Sequence, residues 1–400
     1  MRLSSVQIFQ QGISAILDQQ ARLQRTQEQL ATGQRLLNPS DDPVAAVQIL
    51  DISEDLAQLD QYNRNGDLAQ GQLALEESVL SDVGNVLQRV RELVVQANNA
   101  SQTPETRASI ATEISARLDE MVALANTRDA SDEYIFAGFQ ASTQPFVRSG
   151  GSVNYQGDDG QRFLQLSDNS QIAVRDSGRD VFQAARSGNG EFTVASAAGN
   201  TGNAVISQRN VTGSFVPDTY AITFTQVNPT APVTYQITDS APAVIASGTY
   251  IPGESIDVGG AALTIEGDPA DGDSFSVAPA ARQDLFASLQ GIVDTLNGAT
   301  GSNSDIAKLN TALGQSLDEM DQALGHILNV RADVGVRLAR IDSQREQNDS
   351  FNLQLQETLS DVQDLDYAEA VSRLNLQLTA LQAAQQAYVK VQGLSLFNYL

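Results

Sequence analysis

The chain lacks several residue types on which enzyme sites and small scaffolds depend. None of its 400 residues is cysteine or tryptophan, and His326 is the single histidine. Without cysteine there is no disulfide framework, no thiolate metal site and no cysteine nucleophile. One histidine excludes a His-cluster metal site and makes a Ser-His-Asp triad improbable. We therefore predict no enzyme, no catalytic or metal-binding residue and no cofactor, and we interpret His326 as a residue at the surface or boundary of a helix.

Basic residues and long apolar runs are also scarce. There are 24 basic and 49 acidic residues, which gives a net charge of −25. Nucleic acids and anionic membranes bind cationic surfaces, so we predict neither as a partner. No segment approaches the about 18 consecutive apolar residues of a membrane span. Glutamines interrupt residues 6–17, which therefore do not resemble a cleaved secretory signal. We expect a cytosolic protein or one that leaves the cell by a route without a cleaved signal.

What the chain has instead is a seven-residue apolar repeat at each end. Such a repeat is typical of a helix that packs against another helix. A second apolar row on the last helix and an aromatic residue near the carboxyl terminus add to it. The predicted assembly interface consists of Val6, Phe9, Ile13, Ile16, Leu23, Leu30, Val371, Leu374, Leu378, Leu381, Tyr388, Val391, Leu394 and Phe397.

The simplest arrangement brings the two ends together as the first and last helices of one bundle. Two such helices alone bury little apolar surface against the conformational entropy of ordering about 75 residues. Both also keep apolar surface that the pairing does not use. We therefore expect the ends to be loose in the isolated chain and to become ordered by packing against other subunits. An ordinary intramolecular bundle remains the alternative.

Between the ends, the pattern changes from helical to alternating and back. Gly and Pro become frequent from about residue 134, and short alternating runs such as Tyr220 to Val227 predict antiparallel strands. The fold class is therefore α+β, with long terminal helices forming a helical rod and an inserted antiparallel β domain. The Asn65-Gly66 pair marks a point where the second helix could be interrupted. The predicted domains are residues 1–42 and 363–400 (inner helices), 43–140 and 281–362 (helical rod) and 141–280 (exposed β domain).

A polar loop joins the first two helices. Proline disfavours helix at the residue before it, and Ser or Asp can cap the helix that follows. A second proline suits the first turn of that helix, where the helix dipole also favours acidic residues. The paired aspartates would also suit a divalent ion, but no other ligand lies at metal-site spacing. We predict a helix-capping loop made of Asn38, Pro39, Ser40, Asp41, Asp42 and Pro43.

Two acidic groups of the middle segment resemble functional sites. Asp268, Asp271 and Asp273 resemble part of a calcium loop but lack its terminal glutamate. The neighbours Asp158 and Asp159 are the candidates that a glycan hydrolase would use. We interpret both groups as acidic turns between strands, because no nucleophile, base or cofactor loop accompanies them.

Several stretches together resemble the axial proteins of the bacterial flagellum, the flagellin-like family. In that family a Leu-x-x-Gly motif precedes an Asp-Asp pair, as it does in residues 27–43. The Asn-Pro-Ser-Asp-Asp-Pro form of this segment is most similar to the members of that family at the hook–filament junction. Residues 2–5, 132–139 and 394–400 agree with the same resemblance. The variable middle of such proteins neither supports nor opposes it.

The resemblance implies a function that composition does not. It implies a secreted structural adaptor, exported unfolded through the flagellar type III apparatus and located at the junction of hook and filament. The implied partners are other copies in a ring or helical layer, hook-associated protein 1, flagellin, and an export chaperone before secretion. A flagellin filament subunit is the main alternative, and a secreted glycan-binding protein is a weaker one.

Overall fold

The computed structural model describes residues 5–393, with side chains for residue 7 and residues 10–390. Within these residues six α-helices flank a region of short strands, and a seventh, short helix lies inside that region. The helices are α1 (Ser5–Thr32), α2 (Pro43–Ala97), α3 (Pro104–Ala125), α4 (Gly178–Phe182), α5 (Leu285–Gly298), α6 (Asn303–Gln363) and α7 (Tyr367–Gly393). The strands are β1 (Phe146–Ser149), β2 (Ser152–Tyr155), β3 (Phe163–Ser167), β4 (Ser170–Ala173), β5 (Ala185–Arg186), β6 (Phe192–Ser196), β7 (Val205–Val211), β8 (Tyr220–Thr225), β9 (Thr234–Thr238), β10 (Val244–Thr249), β11 (Ser255–Val258), β12 (Ala261–Glu266), β13 (Ser274–Pro279) and β14 (Arg282–Gln283).

This element order confirms the predicted α+β class, with long helices towards both ends and an inserted antiparallel β domain. The chain divides into two compact units. We call residues 5–64 and 344–393 the terminal unit, and residues 65–343 the central unit. Both α2 and α6 contribute residues to each unit.

Helix α2 is continuous where the sequence suggested a break. Gly66 is buried, and the side chains of Ile341 and Leu166 approach to 3.8 Å from the position of a Cβ atom there. The amide of Asn65 donates a hydrogen bond to the Gln165 carbonyl at 2.8 Å. Packing at this position therefore outweighs the low helix propensity of Asn-Gly, which costs only about 1 kcal/mol relative to alanine.

The central unit contains two separate hydrophobic cores. The first joins α2, α3, α5 and α6 to the chain between residues 135 and 185. Five aromatic rings pack in this part of the core with centroids 4.9–5.4 Å apart, in mostly tilted or edge-to-face pairs. They are Phe136, Phe146, Tyr155, Phe182 and Phe286.

The second core lies between two antiparallel sheets. One sheet has the strand order β10-β9-β8-β13-β6, and the other has the order β11-β12-β7. In the larger sheet Ile222 is paired with both Ile237 and Phe275, and all three side chains are buried. Every residue of this core lies between 192 and 277. The predicted middle segment is therefore split, since residues 146–185 pack on the helices and residues 192–279 form the sheets. We call residues 192–279 the β sandwich.

A buried carboxyl group in the first core has an unusual environment. Glu76 of α2 is 1% exposed, and its Oε1 accepts a hydrogen bond from the Asp176 backbone N–H at 3.1 Å. Arg337 of α6 pairs with the Asp176 carboxylate. The pKa of Glu76 is raised to about 8, mainly because burial disfavours the charged form and also because of the nearby Asp176 charge, while Arg337 partly opposes the shift.

The raised pKa predicts how stability depends on pH. Between the ordinary value of 4.5 and about 8, the folded chain holds a proton at Glu76 that the unfolded chain releases. The free energy of unfolding should therefore fall as pH rises through this window. Glu76→Gln keeps the group neutral and should flatten that slope in urea unfolding series, whereas Glu54→Gln, at an exposed position, should leave it unchanged. An unaltered slope in Glu76→Gln would contradict this account.

Candidate assembly interface

The first and last helices of the chain pack against each other within the terminal unit. The least exposed positions recur in steps of four and three on both helices, which is the spacing of a coiled-coil seam. We call this set the seam. It comprises Gly12, Ile16, Gln19, Leu23, Thr26 and Leu30 of α1 and Ala370, Leu374, Gln377, Leu381, Ala384 and Tyr388 of α7.

Half of the seam positions carry small or polar side chains rather than large apolar ones. A Cβ atom at Gly12 would lie 3.1 Å from Cδ2 of Tyr388, so the glycine leaves room for the tyrosine ring. The side chain of Gln19 donates a hydrogen bond to the Gln377 carbonyl at 3.3 Å. Thr26 is 3% exposed and donates its hydroxyl proton to the Arg22 carbonyl. The seam therefore joins the two helices closely but buries few large apolar side chains.

The structure places the predicted interface residues in three groups. Six of them lie half-buried in the seam: Ile16, Leu23, Leu30, Leu374, Leu381 and Tyr388. Three are exposed, namely Ile13 at 45%, Val371 at 47% and Leu378 at 37%. The side chains of Val6, Phe9 and Val391, and all of Leu394 and Phe397, lie outside the described residues.

The seam uses two positions of each seven-residue repeat, and one of the two lies one residue before the position that the apolar pattern predicts. On α1 this position is occupied by Gly12, Gln19 and Thr26. The apolar pattern had instead predicted Ile13 and the two glutamines that follow it at seven-residue steps. A search for hydrophobic residues passes over such positions. The signal that remains is the seven-residue spacing itself, with small or amide side chains that let two helices approach closely.

The chain segments after α1 and before α7 are joined as well. The amide of Arg35 donates to the Gln363 carbonyl at 2.8 Å, and the amide of Leu365 donates to the Gly33 carbonyl at 2.9 Å. Gly33 has a φ of +73°, and a Cβ atom there would lie 2.8 Å from the hydroxyl oxygen of Tyr367. Only glycine accommodates both the left-handed backbone and the close tyrosine.

The predicted capping loop lies next to this junction. The side chain of Asp42 accepts a hydrogen bond from the Ala45 N–H at 3.1 Å, and Pro43 occupies the first position of α2. Asp41 pairs with Arg25 of α1, and this hydrogen bond is the main reason why the pKa of Asp41 lies below its usual range. The other carboxylate oxygen of Asp41 accepts from the Asn38 N–H at 3.3 Å. Asn38, Pro39 and Ser40 are exposed.

Burial is distributed very unequally between the two units. Among the described residues of the terminal unit, four apolar residues are buried: Ala45, Ile52, Leu365 and Ala370. Twelve large apolar side chains of the same unit are exposed: Ile13, Leu17, Val44, Val47, Leu50, Phe351, Leu353, Tyr367, Val371, Leu376, Leu378 and Val389. The terminal unit therefore exposes more large apolar side chains than it buries, which makes its helices candidates for an interaction site.

The acidic groups considered as sites in the sequence have structural partners. Asp158 accepts hydrogen bonds from the backbone N–H groups of Phe139 and Gly160, which lower its pKa, and Asp159 pairs with Arg179. Asp273 is 2% exposed and accepts three backbone N–H groups. In the described residues no group of three or more His, Asp or Glu side chains could hold a metal ion.

His326 is half-buried in α6, with its Nε2 2.7 Å from the Asp180 carbonyl oxygen. This agrees with the boundary position that the sequence predicts. None of the described helices combines the length and apolarity that a bilayer span requires.

Both ends of the chain match regions of one class of protein. Residues 5–141 match the bacterial flagellin N-terminal helical region, and residues 317–400 match the bacterial flagellin C-terminal helical region. The seam thus joins the two segments that define flagellin-type proteins of the bacterial flagellum.

Comparison over the whole chain narrows the class to one family. The chain is 29% identical to flagellar hook-associated protein 3 of Escherichia coli, over 100% of this chain and 99% of that protein. It is 32% identical to the FlgL structure from Xanthomonas campestris, with a TM-score of 0.72 over 77% of this chain and 99% of that one. The flagellar junction protein FlgL from Legionella pneumophila gives 32% identity and a TM-score of 0.72, over 79% and 100% of the respective chains.

The chain belongs to the family of FlgL, the flagellar hook-associated protein 3 of the hook–filament junction. It is a structural protein of the flagellum.

The Gly33 junction gives a test of how the two terminal helices are held together. Gly33→Ala places a Cβ atom against Tyr367 and strains the backbone, so it should destabilise the α1–α7 pairing by about 1–3 kcal/mol. Hydrogen exchange in α1 and α7 should accelerate while the central unit stays protected. Gly71→Ala, at an exposed helical position with nothing near its Cβ atom, is the matched control and should be neutral or stabilising. Equal protection of α1 and α7 in both variants would disprove the role of Gly33.

Proposed function

We propose that the chain joins hook to filament by helical self-assembly, with α1 and α7 completed by neighbouring copies. The observation that carries this proposal is the imbalance in the terminal unit, where twelve large apolar side chains are exposed and four apolar residues are buried. Exposed apolar area of this kind gains about 25 cal/mol per Å² when a partner covers it. A layer of identical subunits supplies such partners on every copy.

In this proposal the chain ends form the inner layer of the assembly. Residues 1–42 and 363–400 pack there, with the seam holding each pair of ends together and the exposed apolar row facing adjacent copies. That row comprises Ile13 and Leu17 of α1 and Val371 and Leu378 of α7. The remaining predicted interface residues, which include Val6, Phe9, Val391, Leu394 and Phe397, belong to the same layer.

The other segments have supporting roles in the same scheme. Residues 43–140 and 281–362 form the helical support outside the inner layer, and residues 141–280 face solvent. The capping loop from Asn38 to Pro43 fixes where α2 begins, because Arg25 ties Asp41 to α1. The net charge of −25 supports solubility before assembly.

The proposed partners follow from the position of such an adaptor. Hook-associated protein 1 lies on the hook side and flagellin polymerises on the other side. An export chaperone covers the apolar C-terminal helix before secretion, because residues 374–389 carry no charged side chain that would keep them from self-association.

The test substitutes the exposed apolar row and leaves the seam intact. Ile13, Leu17, Val371 and Leu378 are replaced together by alanine, which keeps helix propensity. Assembly is measured as filament growth in a strain that lacks its own hook-associated protein 3 and receives this chain. We expect the wild-type chain to restore filaments. Cells with the variant should release monomeric flagellin into the medium. Their filament number should fall by about tenfold or more, because a loss of about 1.4 kcal/mol of binding free energy lowers a binding constant tenfold.

The control is a pair of alanine substitutions at exposed polar positions of the same helices, Gln24→Ala and Ser372→Ala. It should assemble normally. Both variants should unfold within about 0.5 kcal/mol of the wild-type chain, because the substituted side chains are exposed. Normal filaments in the quadruple variant would refute the proposal. A wild-type chain that polymerised into the filament itself would instead favour a flagellin role.

A further inference from the structure

The β sandwich and the helices of the central unit share no buried apolar cluster among the described residues. The first core has no member between residues 186 and 284, and the second has none outside 192–277. No apolar cluster therefore spans the boundary between the sandwich and the helices. The contacts across this boundary come instead from one face of α6.

That face carries five side chains at steps of three, four, three and four residues. They bind backbone or charged groups of the sandwich and of the loop that leads into it. We call them the α6 latch: Lys308, Thr311, Gln315, Asp318 and Gln322. Such spacing places all five on the same side of a helix.

Each latch residue has a defined partner. The Lys308 ammonium donates to the Ala198 carbonyl at 3.0 Å, and the Gln322 amide donates to the Asn189 carbonyl at 3.0 Å. The backbone N–H groups of Val194 and Ile206 donate to Gln315 at 3.0 Å and to Thr311 at 3.3 Å. Asp318 pairs with Arg209 of β7.

The latch also covers the two sheet edges that meet the helix. β6 is an edge strand of the larger sheet and β7 an edge strand of the smaller one. Their free N–H groups at Val194 and Ile206 are satisfied by α6 side chains. A cleft of about 440 Å³ lies beside these contacts, lined by β6, α5 and α6 residues such as Ser196, Gly291 and Ala312. The boundary is thus hydrogen-bonded but loosely filled.

The covalent connection is narrow. The chain enters the sandwich after β5 and leaves it before β14, and these two strands pair over two residues each. Backbone hydrogen bonds from Ser187 to the Ala281 carbonyl and from Ala280 to the Glu191 carbonyl, both at 2.9 Å, continue this pairing towards β6 and β13. The entering loop has Gly188 and Gly190 at φ values of +58° and +93°. The glycines allow a tight turn at this point, and a two-stranded neck can twist about its length without opening either core.

We propose that the β sandwich is a self-contained module that pivots on the β5–β14 neck and is held against α6 by the latch. Because the contacts are polar, water can replace them when the module moves away, whereas neither hydrophobic core has to open. A subunit built this way keeps its helical packing, and its β sandwich takes more than one orientation once the latch contacts are broken. This inference does not depend on the assembly proposal.

The experiment uses the full chain. Because the chain contains no cysteine, two cysteines introduced for labelling are its only reactive thiols. Ala108→Cys on α3 and Ser247→Cys on β10, both at exposed positions, receive spin labels whose separation is measured by pulsed electron resonance. The latch variant combines Thr311→Val, Gln315→Ala, Asp318→Ala and Gln322→Ala. The matched control combines Asn329→Ala and Asp333→Ala on an exposed part of α6.

We expect one narrow distance distribution in the wild-type chain and the control, and a broad one in the latch variant. Hydrogen exchange in β6 and β7 should accelerate by roughly five- to tenfold, while β8 and β13 in the middle of the sandwich stay protected. A narrow distribution in the latch variant would overturn the proposal. Loss of protection in β8 and β13 would overturn it too, because the sandwich would then not be self-contained.

Discussion

The seam between α1 and α7 is the contact on which the organisation of this chain depends. It brings together two segments from opposite ends of the sequence, with Gly12 against Tyr388 and Gln19 bonded to the Gln377 carbonyl. Since half of its positions are small or polar, it aligns the two helices while burying little apolar surface. Large apolar side chains of the same helices, such as Ile13 and Val371, stay exposed, and we propose that neighbouring copies cover them.

The central unit has a different balance, because it buries many more large apolar side chains than it exposes. The central unit buries nearly all the apolar residues that the described chain buries, in one core among the helices and one between the two sheets. A flagellar junction protein has to be soluble as a single chain and adhesive as a subunit. In the proposed scheme these two requirements fall on different residues. The central unit and the negative charge support solubility, and the terminal helices provide the adhesive surface.

The class of fold could be predicted from sequence because periodicity is local information. Heptads at both ends and alternation in the middle are each visible within about 10–20 residues. The row of the seam could not be predicted in the same way. Gly12 and Ile13 differ by one position, and the choice between them depends on how closely Tyr388 approaches, which is a tertiary contact. The continuity of α2 at Gly66 likewise depends on Ile341 and Leu166, which are distant in sequence.

Local sequence patterns also could not predict that the middle segment is divided between two cores. Residues 146–185 and 192–279 both consist mainly of short strands, but Phe146 and Phe182 pack with Phe286 of α5, whereas Phe224 packs with Phe275 inside the sandwich. For the same reason the acidic turn at Asp273 was identifiable as a turn, but its three backbone partners were not. The identity of the family rested on motifs and needed none of these contacts.

The most direct test of the account is the binding of a truncated chain, residues 43–362, to purified hooks that carry hook-associated protein 1. The central unit contains both cores, so circular dichroism should show that the truncated chain is folded. If the terminal helices are completed by neighbouring subunits, the truncated chain should neither bind these hooks nor nucleate filament growth when flagellin is added, whereas the full chain should do both. Normal binding and nucleation by the truncated chain would contradict the central claim.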